Sequence, residues 1–149
     1  MMMKSNVSKL SSKDLRKVSL RYMFGAQLGW NYERMMNVAY VRAVYPALKK
    51  LYKDEKELKS VLQSEMQFYN TSPFLSAFII GIDLALQAED GSKSKDAVAA
   101  IKTSMMGPFA AVGDSLFGAV IPTIFGSLAA YMGLEGNPLG VLLWLLVSL

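Results

Sequence analysis

The sequence predicts an all-α membrane protein, with amphipathic N-terminal helices followed by broken or re-entrant membrane helices. Three observations predict it. From Thr103 to Leu134 there are 32 residues, and Asp114 is the only charged one. That stretch also holds five glycines and two prolines. A plain spanning helix needs neither, whereas a broken helix lining protein or water tolerates both. Finally, residues 1–60 carry 13 Lys or Arg against 5 Asp or Glu, whereas residues 61–149 carry 3 against 7. A basic front ahead of an apolar back places the N-terminus on the cytoplasmic side, where Lys and Arg are retained. A lone carboxylate at membrane depth is costly and faces a polar pocket, a partner or a transport path. Membrane transport is therefore the first functional class to consider.

Along the chain, residues 1–10 read as a disordered polar tail, and residues 11–149 as a single membrane domain with a hairpin over about 103–149. Ser11 with Asp14 forms a capping box that opens a helix. Leu15, Val18 and Tyr22 mark its apolar face, and Lys13, Arg16, Lys17 and Arg21 fill much of the rest. Such a helix either lies on an anionic membrane surface or packs on its own domain. Gly25 and Gly29 interrupt the next segment, and Asn31 to Tyr45 is compatible with a helix that Pro46 kinks or restarts. Asp54-Glu55-Lys56-Glu57 begins a further helix, striped by Leu58, Val61, Leu62 and Met66. Asn70-Thr71-Ser72-Pro73 is a turn or helix cap. Phe74 to Ala88 is short for a spanning helix and carries Asp83 as a second polar candidate. After a hydrophilic loop, with Ser94 or Asp96 as cap, a helix from about Ala97 is expected to end at Gly107-Pro108. The last apolar run, Pro138 to Leu149, is too short to cross a bilayer, which takes about 20 residues. It reads as re-entrant or as part of something longer.

Composition narrows the chemistry. The chain has no Cys and no His. Disulfides, thiol catalysis, His-based triads, His or Cys metal sites and phosphohistidine are excluded. No catalytic residue, cofactor or metal is expected. The N-terminus lacks the apolar core of a secretory signal. A basic half also suits nucleic-acid binding, but no recognition motif accompanies it, so no nucleic-acid partner is expected.

Three blocks, LGWNYERMMNVAY (Leu28 to Tyr40), MQFYNTSPF (Met66 to Phe74) and IKTSMMGPFAAVGDSLF (Ile101 to Phe117), resemble in order and spacing the IID subunit of the mannose-type sugar phosphotransferase system. The SSKDLRKVSLRYMF and YPALKKLY segments resemble it too. The resemblance implies a subunit of a phosphoenolpyruvate-dependent permease in the bacterial inner (cytoplasmic) membrane. It would pair with a IIC subunit, as a hetero-oligomer in membrane lipid, to translocate mannose-type hexoses. Phosphate would pass through histidines of IIA and IIB phosphocarrier subunits, consistent with a IID chain that has none. Family members are longer, with further membrane segments, so this chain is expected to be an N-terminal portion. The alternative is a truncated, non-transporting scaffold or decayed fragment.

Substrate-binding candidates follow from polarity and position. Asp114, flanked by Gly113 and Ser115, can accept bonds from sugar hydroxyls or, alternatively, cap the helix from Ser115. Asn31 and Glu33 lie in the NYERM block, where Glu33 and Arg34 would face different sides of a helix and not pair. A salt-bridged helix packing is the competing reading there. Gln27 precedes the block, beside Trp30, which either stacks on a sugar or anchors at the membrane interface. Asn70 belongs to the polar cluster before Pro73. Trp144 reads as an interface or lipid-facing residue, and the Met35-Met36 and Met105-Met106 pairs as packing.

Overall fold

A computed structural model describes residues 10–148, so all but the last residue of the expected tail over 1–10 lies outside the described residues. Among those residues the chain is helical, with no strand and two isolated β-bridges. It divides into two compact units, Met1–Ala110 and Ala111–Leu149.

The first unit is built on α1 (Ser12–Met23), α2 (Asn37–Leu51), α3 (Glu55–Glu65), α4 (Ser76–Asp90) and most of α5 (Lys95–Gly113). The Ser11 capping box forms as expected, with the Ser11 hydroxyl and Asp14 carboxylate each accepting the other's backbone N–H. Asp54 caps α3 by accepting the Glu57 N–H at 2.9 Å. In α2, Tyr40, Ala43, Val44, Ala47, Leu48 and Leu51 are buried, the i, i+3, i+4, i+7 stripe of a helix packed on one face. Pro46 lies inside α2 without ending it. The same stripe in α4 reads Ser76, Ile79, Ile80, Asp83, Leu84, Gln87 and Ala88, so two strongly polar groups sit where the helix turns inward. Gly91, at φ 61°, ends α4 in the left-handed region, and a 3₁₀ turn over Gly91–Ser94 leads into α5. Phe78 near the start of α4 then meets Phe109 near the end of α5, edge to face at 6.1 Å. That pairing runs α5, up to Ala110, antiparallel to α4.

The second unit holds a π-helical stretch (Asp114–Val120), α6 (Ile121–Leu134) and α7 (Leu139–Ser148). Gly107-Pro108 does not end α5 as expected; Pro108 lies inside the helix. The irregularity comes later, at Asp114–Val120. The Ile121 N–H there bonds the Leu116 carbonyl five residues back. Pro122 supplies a reason. It offers no N–H to the carbonyl of Gly118 and crowds it, which favours a wider turn there, whereas Pro46 and Pro108 are absorbed within α-helix. α6 and α7 form a hairpin with small residues at the contact. A Cβ on Gly140 would stand 2.6 Å from the Ala129 carbonyl, and one on Gly126 would stand 2.9 Å from the Trp144 ring. Close approach through small residues is how helices associate where no water drives them together. In the most apolar window of the helical run from Ser76 to Leu134, only 6% is buried. Val112, Leu116, Val120, Ile124 and Leu128 are all exposed. Such a face is a transmembrane candidate and not the core helix of a water-soluble domain.

Candidate functional site

The Asn31–Met35 segment is not helical. It is a tight loop closed by two backbone bonds between Asn31 and Met35 (2.9 and 3.0 Å), with Met35 at φ 54°. A β-region or helical backbone at Met35 would open that loop, and its left-handed geometry leaves no trace in sequence periodicity. Two readings of this block change as a result. Glu33 and Arg34, freed from helical geometry, do pair, with Arg34 Nε 3.0 Å from Glu33 Oε1 on an exposed surface. Glu33 and Asn37 share no helix face; α2 starts only at Asn37.

The side chain of Asn31 is used inside the loop. Its oxygen accepts the Arg34 N–H at 2.8 Å, and its Nδ2 donates to Asn37 Oδ1 at 2.9 Å. Asn37 in turn donates to the Met66 carbonyl at 3.0 Å, as does Arg34 at 3.3 Å. The Met36 N–H donates to the Tyr69 carbonyl at 2.8 Å. The NYERM and MQFYN blocks are thus sewn together through backbone groups. The third block joins them: the Asn70 N–H lies 3.3 Å from Met106 Sδ, and Lys102 Nζ lies 2.7 Å from Glu65 Oε2.

At this junction sits a buried polar network that the sequence does not announce. Lys102, Glu65, Asp83, Gln87, Tyr40 and Tyr69 are each at most 2% exposed. Gln87 Nε2 donates to both carboxylates, reaching Glu65 Oε1 at 3.0 Å and Asp83 more closely. The Tyr40 hydroxyl donates to Asp83, and the Tyr52 hydroxyl donates to Gln87 Oε1 at 3.0 Å. Lys102 Nζ lies 3.7 Å from the centre of the Tyr40 ring and 5.5 Å from that of Tyr69, so aromatic faces as well as the Glu65 carboxylate surround the cation. Burial pushes the Glu65 carboxyl up to about 7, the charge of Asp83 adds to this, and Lys102 opposes it. Burial also raises the Tyr22 hydroxyl to about 12. Tyr22, Tyr40 and Tyr69 pack around one another with ring centres 4.5–6.2 Å apart. Of this network only Asp83 was singled out from the sequence. Glu65 carried a usable signal, because it falls on the apolar stripe of α3 four residues after Val61.

The remaining sequence candidates are exposed. Gln27, Glu33 and Asn70 lie on the surface of the first unit. The expected side-chain cap from Asn70, Thr71 or Ser72 is absent: α4 is entered through Leu75, and it is the Ser72 carbonyl that accepts the Ser76 N–H and hydroxyl, both at 3.0 Å. Asp114 and Ser115 are exposed in the second unit. Asp114 continues the helix from Gly113 and makes no capping bond, so the capping alternative does not hold. It stands at the first position of the π-wound stretch. π-helical turns are rare and recur at functional sites, because the wider turn exposes backbone groups and re-aims side chains. Among the described residues no cluster of three His, Cys, Asp or Glu could hold a metal ion.

The family model "PTS system mannose/fructose/sorbose family IID component" matches residues 9–149. The mannose-specific EIID component of Escherichia coli (strain K12) is 36% identical over 143 residues, covering 93% of this chain and 50% of that protein. The fructose permease IID component of Bacillus subtilis (strain 168) is 33% identical over 141 residues, covering 91% and 50%. Among solved structures, a chain of the cryo-electron microscopy structure of the mannose transporter ManYZ with microcin E492 superposes with a TM-score of 0.82 at 34% identity. That match covers 93% of this chain and 52% of that one. The chain therefore spans about half the length of the relatives it matches. With its all-helical fold, its exposed apolar helix and these matches, the chain belongs to the mannose/fructose/sorbose family of phosphotransferase-system IID components.

Proposed function

We propose that this chain acts as the IID membrane subunit of a sugar permease in the bacterial cytoplasmic membrane, with its N-terminus in the cytoplasm. It works with a IIC subunit to translocate mannose-type hexoses. IIA and IIB subunits supply the phosphoryl chemistry, for which this chain offers no histidine. The observation that carries the reading is Asp114: an exposed carboxylate beside Ser115, at the start of a π-wound segment in an otherwise uncharged apolar helix. A carboxylate in lipid without a partner is costly, so this one meets a sugar hydroxyl or a polar group of IIC. Gln27, Glu33 and Asn70 are exposed polar groups available to the same partners, while Asn31 shapes the loop that presents Glu33.

The test replaces Asp114 by Asn in the transporter assembled with IIC. Loss of a charged hydrogen bond of about 1.5–3 kcal/mol predicts hexose uptake lowered about 10- to 100-fold, with assembly retained. Normal uptake with normal assembly would remove Asp114 from the path. Wild-type assembly without any uptake would favour a scaffold over a translocating subunit.

A further inference from the structure

The surface of α1 and the loop that follows it combine two features, a basic groove and exposed apolar side chains. Lys13, Arg16, Lys17, Arg21 and Arg42 line one open groove together with Leu20 and Phe24. No acid lines it. The one carboxylate on α1, Asp14, is held by Lys50 and by Ser11, which keep it at about 2. Beside these cations the chain exposes large apolar groups: Phe24 at 78%, Leu28 at 80% and Tyr32 at 88%. Trp30 is exposed too and stacks edge-on against Tyr32 at 5.0 Å. Gly25 fits this arrangement. A Cβ there would strike the Arg42 guanidinium at 2.4 Å, so glycine lets Arg42 of α2 lie against the end of α1 and join the cationic face.

We propose that this face docks on an anionic lipid surface. Lys and Arg would pair with phosphate headgroups, while Phe24, Leu28 and Trp30 enter the headgroup boundary. Cations alone would suit nucleic acid or an acidic protein equally. The aromatic and aliphatic groups interleaved with them favour lipid, since Trp and Tyr rings prefer the membrane interface and basic amphipathic helices bind anionic leaflets. The chain also carries its own transmembrane candidate, which keeps a lipid surface at high local concentration.

The chain has no cysteine, so a single introduced thiol reports one position. The full chain carrying Phe24→Cys is placed in nanodiscs of pure phosphatidylcholine, or of phosphatidylcholine with 30% phosphatidylglycerol (a composition chosen for the test, well within the anionic range that attracts polybasic segments). Labelling by a neutral, water-soluble maleimide is then timed. The expected result is labelling about tenfold slower in the anionic discs, returning to the neutral-disc rate in 0.5 M salt, where screening lengths fall to a few ångströms (about 4 Å). Lys59→Cys, exposed on α3 away from the groove, should label equally in both discs. Arg16→Glu with Lys17→Glu should abolish the protection, and the salt arm tests the same charge dependence without any change of fold. Equal rates for Phe24→Cys in the two discs would overturn the proposal. So would protection that appears only when RNA or an acidic polypeptide is added.

Discussion

At the scale of single residues, the buried network around Lys102 is where charge and burial meet. Lys102 and Glu65 are an ion pair with almost no solvent access, and removing one partner strands the other. Lys102→Met is expected to destabilise the first unit by about 3–5 kcal/mol, read by thermal unfolding in detergent. Combining it with Glu65→Gln should recover much of that loss. The raised Glu65 value also sets a pH dependence. Burial and the Asp83 charge lift the Glu65 carboxyl to about 7 against the pull of Lys102, so below that pH the folded state takes up a proton there and the ion pair weakens, while the unfolded chain takes it up only near the ordinary value of 4.5. Between those values the folded state binds more protons, so its stability should fall as pH rises from about 4.5 to 7. Denaturation profiles at the two ends of that window check the direction, and Glu65→Gln should flatten the difference. Asp83 was legible in the sequence as an acid among Ile and Leu residues. Lys102 was not, because it sits just before the apolar stretch and resembles an ordinary flanking cation.

At the scale of elements, what was legible followed local rules. The Ser11 capping box and the acidic first turn of α3 are set by nearest neighbours on the helix, and both appear. What was not legible depends on long-range bonds. The loop over Asn31–Met35 replaces a helix because the Tyr69 carbonyl takes the Met36 N–H and the Met66 carbonyl takes the Asn37 and Arg34 side chains. Gly107-Pro108 lacks the power to end α5 because the flanking residues are strongly helix-compatible and one lost backbone bond is affordable there. The α6–α7 hairpin depends on glycine at the contact. Gly140→Leu would drive a side chain into the Ala129 carbonyl, and it should cost about 1–3 kcal/mol as overpacking, seen as earlier melting of the chain in detergent. Gly133→Ala, with open space around it, should change melting little.

At the scale of the whole molecule, two kinds of surface coexist in one chain: a basic N-terminal face and an apolar helical hairpin preceded by a π-wound segment. The charge asymmetry and the apolar run made the membrane class readable from composition, and three separated sequence blocks made the family readable. The packing brings those blocks together, since NYERM, MQFYN and the Lys102 segment meet through backbone and buried polar contacts. The chain spans about half the length of the relatives it matches and exposes an apolar helix that carries Asp114. The most direct measurement is co-expression of this chain with a family IIC subunit, followed by detergent extraction, affinity purification on this chain and hexose binding to the eluted complex. The account predicts that IIC co-purifies from the membrane fraction and that the complex binds hexose more weakly with Asp114→Asn. Recovery of the chain in the soluble fraction without detergent, or from the membrane without IIC, would contradict it.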